Sequence, residues 1–176
     1  MLFAELTYPE LLLRLFAALV LGTIIGLERD VHGRPAGLRT HLLVSLGSAL
    51  FTVVSLSLSA AVSARGAQTF VTLDPSRIAS QIVAGIGFLG AGTIIKSGFT
   101  IRGLTTASCL WVTAAIGMAA GAGFFVMAFV VTGLSLFGLL VLNYVERIYK
   151  KDRYVRLTVN TKPDADFATL RAAIAG

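Results

Sequence analysis

Gly103–Val145 reads GLTTASCLWVTAAIGMAAGAGFFVMAFVVTGLSLFGLLVLNYV, a run of 43 residues without one Asp, Glu, Lys or Arg. At about 1.5 Å per residue this is roughly 65 Å of helix, two crossings of a hydrocarbon layer about 30 Å thick. Gly117, Gly121 and Gly123 interrupt the run. Glycine's freedom at positive φ predicts a tight turn over Gly117–Gly123. That turn divides the stretch into one span at Gly103–Ala119 and another at Phe124–Val145.

The rest of the chain has the same character. Of its 176 residues 56% are hydrophobic and 14% charged, with a mean hydropathy of +0.83. An average soluble domain is about 25% charged, so this chain lacks the polar surface to coat a water-facing globule. Three further spans follow upstream: Tyr8–Leu27, Leu42–Ala64 and Ile78–Ile95. Glu10 and Arg14 sit near the outer end of the first, where long side chains can snorkel. The first ten residues hold Glu5 and Glu10 and no basic residue, which argues against a signal peptide. The lone Cys109 cannot form an intramolecular disulfide. The fold expected is an all-α polytopic membrane protein with five transmembrane helices.

Basic residues set the orientation. Arg29, Arg34 and Arg39 lie in loop 28–41, Lys96 and Arg102 in loop 96–102, and Arg147, Lys150, Lys151, Arg153 and Arg156 after the last span. The other side holds Arg65 and Arg77 in loop 65–77 and none in the last turn. The positive-inside bias then predicts an outer N-terminus and a cytoplasmic C-terminus in the bacterial inner membrane. The same bias explains the net charge of +6 without nucleic acid; the lipid bilayer is the first partner.

The transmembrane domain is expected over 1–148. From 149 to 176 the pattern changes: Tyr154–Asn160 alternates like a strand, and Asp166–Ala175 reads as a short amphipathic helix. These look like the opening of a cytoplasmic α/β domain whose remainder is missing, because one strand and one helix are too little to stand alone.

Two hairpins resemble each other. Gly22-Thr23-Ile24-Ile25 precedes Gly37-Leu38-Arg39-Thr40, and Gly92-Thr93-Ile94-Ile95 precedes Gly103-Leu104-Thr105-Thr106. Both run in the same direction, which suggests two parallel helical-hairpin repeats plus one helix. Chance among small and aliphatic residues is the plainer explanation.

Gly22, Gly26, Gly85, Gly87, Gly90 and Gly92 are expected to let helices pack closely in lipid. A broken helix whose freed backbone lines an ion site is the sharper alternative. Gly85-Ile86-Gly87-Phe88-Leu89-Gly90 has the letter pattern of a nucleotide fingerprint, but no strand precedes it and no acidic residue follows at the right distance. Ser45, Ser48, Thr52, Ser55, Ser59 and Ser63 fall on one helical face. They either bond across to a neighbouring helix or form a hydrated seam.

The candidate ligand- or partner-binding residues are Glu28, Arg29, Arg34, Arg39, Thr40, His41, Asp74, Arg77, Gln81, Lys96, Thr105 and Thr106. Glu28 is expected to pair with one of the loop arginines. Thr40 is expected to cap the second span, and Thr105 or Thr106 the fourth. Two helix N-termini beside several arginines would suit an anion, although ordinary positive-inside flanking accounts for the same charges. His32 and His41 read as interfacial, without a metal-site pattern. Asp74-Pro75-Ser76-Arg77 reads as a capped helix start, and a water-mediated Mg²⁺ contact at Asp74 is the alternative. Nothing assembles a nucleophile with a base, so no enzyme is expected, and no cofactor is implied.

Three blocks carry a resemblance: GLERDVHGRPAGLRTHLLVSLGSALF over 26–51, DPSRIASQIVAGIGFLGAGTII over 74–95 and GLTTASCLWVTAAIGMAAGAG over 103–123. They resemble the MgtC/SapB family of bacterial inner-membrane proteins. The resemblance implies about five spans and, in many members, an ACT-like cytoplasmic domain, of which Tyr154–Gly176 is similar to the opening third. It also implies a link to growth under magnesium limitation and to survival of pathogens in host cells. The best-known members are regarded as regulators acting on the F-type ATP synthase, which makes that enzyme an expected membrane partner. Two rival expectations remain: a small-ion or solute transporter along the hydroxyl stripe, and a homodimeric scaffold joined through Gly22 and Gly26.

Overall fold

The computed structural model of the chain describes residues 7–64, 74 and 76–148. Five helices follow in order: α1 Tyr8–Val31, α2 Leu38–Ala64, α3 Ser76–Thr93, α4 Leu104–Gly121 and α5 Phe125–Ile148. Between α3 and α4 stands an antiparallel hairpin, β1 Ile95–Ser97 and β2 Thr100–Arg102. The chain divides into two units at Leu142 and Asn143. The expected ACT-like tail over 149–176 lies outside the described residues, as does most of loop 65–77.

Three of the helix starts have a local cause. At α1 the Thr7 N–H donates to Glu10 Oε2 at 3.0 Å, and Pro9 occupies the first turn, where its missing N–H costs nothing. At α3 the Ser76 N–H donates to Asp74 Oδ1 at 2.9 Å. At α4 the N-cap is Gly103 at φ +91°, a left-handed conformation open to glycine. A Cβ there would fall on the Thr93 carbonyl, so the residue is fixed by space as well as by φ.

Helices α1, α2 and α4 are long and apolar enough to cross a membrane. Their outer faces are hydrophobic: Leu12, Leu13 and Phe16 on α1 and Leu43, Phe51 and Val54 on α2 are all exposed. An apolar surface this extensive fits lipid and not water. Inside, Ala18, Leu21, Ile25, Ala49, Ile116, Ala120 and Ala128 form one cluster. A second, smaller cluster joins α3 to α4 through Ile86, Leu110 and Ala114.

Several sequence expectations are corrected at helix ends. The third helix stops at Thr93 and not at Ile95, because residues 95–102 pair as a ribbon. Gly117 and Gly121 belong to α4, and the turn is confined to residues 122–124, with Gly123 at φ +86°. The first loop is shorter than expected: Glu28 and Arg29 are the last turns of α1, and Arg39, Thr40 and His41 the first turn of α2. Thr40 therefore lies past the N-cap of α2, and Gly103 takes the cap expected of Thr105 or Thr106.

Candidate functional site

The site forms where α1 ends and α2 and α4 begin. Small residues let the three backbones meet. A Cβ on Gly22 would sit 2.5 Å from Ser45 Cβ and 2.8 Å from the His41 carbonyl oxygen; one on Gly26 would sit 2.8 Å from Leu38 Cα. On the other flank of α2, a Cβ on Gly117 would fall against the Ser45 carbonyl, and one on Gly121 would lie 2.5 Å from the Ala49 carbonyl oxygen. Helix α1 thus runs antiparallel to α2, and α4 runs parallel to it. One turn back along both parallel helices, His41 and Thr113 share a level. Ser45 Oγ donates to the Ala18 carbonyl at 2.7 Å and ties α2 to α1.

Around this level the bundle buries polar groups. Glu28 is 8% exposed, Arg29 3%, Thr106 2%, and His41 and Thr113 0%. His41 was expected at the interface; its burial is a correction, caused by the glycines that draw α1 onto α2. Arg29 Nη1 lies 3.8 Å from Glu28 Oε2, and His32 Nδ1 lies 3.2 Å from Glu28 Oε1. Residues adjacent on a helix do not share a face, so Glu28 and Arg29 meet by folding their side chains around α1.

Among the described residues both Glu28 carboxylate oxygens, Arg29 Nε, His41 Nε2, Thr113 Oγ1 and Thr23 Oγ1 are buried without a hydrogen-bond partner. His41 Nδ1 lies 3.0 Å from the Gly37 carbonyl oxygen. A carbonyl only accepts, so Nδ1 carries a hydrogen, and in the neutral tautomer Nε2 is an acceptor. Buried polar groups demand partners, and these have none among the described residues. A cation bound at Glu28 would meet the Arg29 guanidinium, and among the described residues no three His, Cys, Asp or Glu side chains group to hold a metal.

The sequence candidates fall at two ends of the bundle. Glu28, Arg29, Arg34, Arg39, Thr40, His41, Lys96, Thr105 and Thr106 lie at the end that bears the hairpin. Asp74, Arg77 and Gln81 are exposed at the start of α3, about 27 Å of helix away at 1.5 Å per residue. The Ser76 hydroxyl and N–H hold the exposed Asp74 carboxyl below its usual range. Of the glycines, Gly22 and Gly26 are turned into the chain's own α2, which removes them as a face for a second copy. A Cβ on Gly90 would sit 3.5 Å from Ala107 Cβ, while one on Gly85, Gly87 or Gly92 would meet nothing within 4 Å among the described residues. Thr23 escaped sequence reasoning, since one hydroxyl in an apolar helix gives no signal. Thr113 is not such a miss: with Thr106, Gly117 and Gly121 it forms a stripe on the fourth span that the sequence shows.

Beside α3 runs an apolar groove of about 670 Å³, lined by Leu43, Val44, Gly47, Ser48 and Phe51 of α2 and Ile78, Gln81, Ile82, Gly85, Ile86 and Leu89 of α3. At the opposite end Arg14 Nη1 donates to the Gly121 carbonyl at 3.0 Å, a cation at a helix C-terminus.

Comparison with known proteins places this architecture. The model of the MgtC family matches residues 15–148. The Escherichia coli K12 protein YhiD, described as a putative magnesium transporter, is 43% identical over 151 residues, covering 85% of this chain and 69% of its own length. Protein SapB of Bacillus subtilis is 35% identical over 166 residues, covering 88% of this chain and 68% of its own. Protein MgtC of Brucella abortus is 48% identical over 118 residues, covering 67% of this chain and 45% of its own. No solved structure matches. The family match runs from Leu15, inside α1, to Ile148, the end of α5, and the chain belongs to the MgtC family.

Proposed function

We propose that this chain is a five-span inner-membrane protein of magnesium homeostasis that works by binding and regulating a membrane partner, without catalysis. In this reading α3 and α5 also cross the bilayer, the N-terminus is outside, and the arginine-rich ends of α1 and α2 face the cytoplasm. Residues 149–176 begin an ACT-like cytoplasmic domain. The two similar hairpins, α1–α2 and α3–α4, descend from one duplicated unit.

One observation carries the partner-binding reading: Gly85 and Gly92 share a face of α3 where an added Cβ would meet nothing within 4 Å among the described residues, and Gly85 lines the apolar groove. In lipid, helix association is driven by close packing, and small residues permit it. This face is complete on one side and waits for a helix on the other. The F-type ATP synthase, implied by the family resemblance, is the first partner to test. A photo-reactive residue at Leu89 or Phe88, exposed on α3, should crosslink to a distinct membrane protein in cells grown at low magnesium. Crosslinks confined to lipid or to a second copy would remove the regulatory reading.

The second reading is transport, the activity in the description of YhiD. The unpartnered His41 Nε2, Thr113 Oγ1 and Thr23 Oγ1 favour it, since they could line a path once hydrated. Purified protein in liposomes should then pass Mg²⁺, K⁺, H⁺ or phosphate. No flux of any of the four would exclude it.

A further inference from the structure

The hairpin between α3 and α4 has a composition that the partner-binding reading does not use. Strand β1 pairs with β2 so that Ile95 opposes Arg102 and Lys96 opposes Ile101. Opposed residues share a face of the ribbon, so each face bears one aliphatic side chain and one cation. At the tip Gly98, at φ +60°, turns the chain and leaves Phe99 94% exposed; Ile95 is 64% and Ile101 52% exposed. From Ile95 to Leu104 there is no acidic residue.

We infer that the β1–β2 hairpin is a lipid-binding element that seats Phe99, Ile95 and Ile101 in the bilayer interface while Lys96 and Arg102 contact anionic lipid phosphates. Three arguments support this occupant. A single residue separates the ribbon from α3 and another from α4, so it starts at headgroup level, given that both helices cross as proposed above. Its strands reach about 10 Å at 3.4 Å per residue, similar to the roughly 5–10 Å depth at which interfacial elements bury their apolar faces. A lone two-stranded ribbon is marginal in water, and withdrawing an aromatic and two isoleucines from water supplies the missing stabilisation. Two cations on such a surface match the negative potential of anionic lipids.

The test uses the full chain in vesicles. Trp111 is the sole tryptophan, so Trp111→Phe combined with Phe99→Trp puts the reporter at the tip. In phosphatidylglycerol-containing vesicles its emission should shift to the blue and be quenched most by shallow spin-labelled acyl chains. Lys96→Gln and Arg102→Gln should each weaken the seated state about fivefold, the effect of one cation near an anionic surface, and inorganic phosphate should change nothing.

Red, unquenched emission would overturn the proposal. So would equal quenching in purely zwitterionic vesicles, a shift produced by inorganic phosphate, or one that follows protein density as contact with a second copy would. A labelling assay with Lys96→Cys and Ser76→Cys, in a Cys109→Ala background, separates the two layers of the argument. Label reaching both from one side means that α3 does not cross, and it sinks the five-span reading; the tip fluorescence decides the lipid contact independently.

Discussion

Arg29→Met strips the counter-charge from Glu28 while keeping most of the side chain's volume. At the observed 3.8 Å separation, two unit charges attract by about 4 kcal/mol at an effective dielectric constant of about 20. Screening by solvent reduces this little, since the two side chains are 4% and 5% exposed. The pair is not well built: neither carboxylate oxygen accepts a hydrogen bond among the described residues. Its attraction therefore does little more than offset the removal of two ions from water. The consequence is asymmetric. Losing Arg29 alone leaves a buried carboxylate and should destabilise the bundle by about 3–5 kcal/mol. Losing both, in Glu28→Leu with Arg29→Met, should be near neutral or stabilising.

Reversible unfolding in mixed micelles titrated with SDS, read by Trp111 fluorescence, gives all four corners of the double-mutant cycle. The reasoning fails if Arg29→Met lies within about 0.5 kcal/mol of the parent, the range of ordinary surface changes. It fails equally if the double variant is as unstable as the single one.

Gly103→Ala forces a side chain into a left-handed residue against the Thr93 carbonyl, so the same titration should show a loss of about 2 kcal/mol or more. Ser45→Ala removes the hydroxyl that ties α2 to Ala18; a loss of about 0.6 kcal/mol, the average for hydrogen bonds between membrane helices, is expected. A loss above 2 kcal/mol would mean that Ser45 does more than bond to that carbonyl. At Asp74 the folded carboxyl is held below its ordinary 3.8, so its contribution is present above that pH and fades as pH falls through the lower folded value. Amide exchange at Ser76 should therefore be protected equally at pH 7 and 5, with protection lost only on further acidification.

The helices were legible because uncharged runs of span length have few alternatives, as Gly103–Val145 shows. Their ends were less so. Glu28 and Arg29 look like loop residues because charge usually marks a surface, yet α1 continues through them and buries both. His41 looks interfacial beside Arg39 for the same reason; only the close approach of Gly22 and Gly26, a tertiary event, puts it inside. The hairpin was invisible because three-residue strands are too short to show a period. Gly85, Gly87, Gly90 and Gly92 look alike in sequence, and the structure separates Gly90, where an added Cβ would contact Ala107, from three where it would meet nothing within 4 Å among the described residues.

The close seating of Gly117 and Gly121 on the α2 backbone has a mechanical consequence. Two helices in such contact cannot slide or roll past one another, because a shift of one residue would drive a side chain into a carbonyl. With Ser45 bonded to α1 as well, α1, α2 and α4 form a keel that must move as one piece. Helix α3 meets α4 through Ile86, Leu110 and Ala114, leaves room at Gly90 for an added Cβ, and borders an open groove on its other flank. Of the helices that border the keel, α3 therefore has the most room to shift against it.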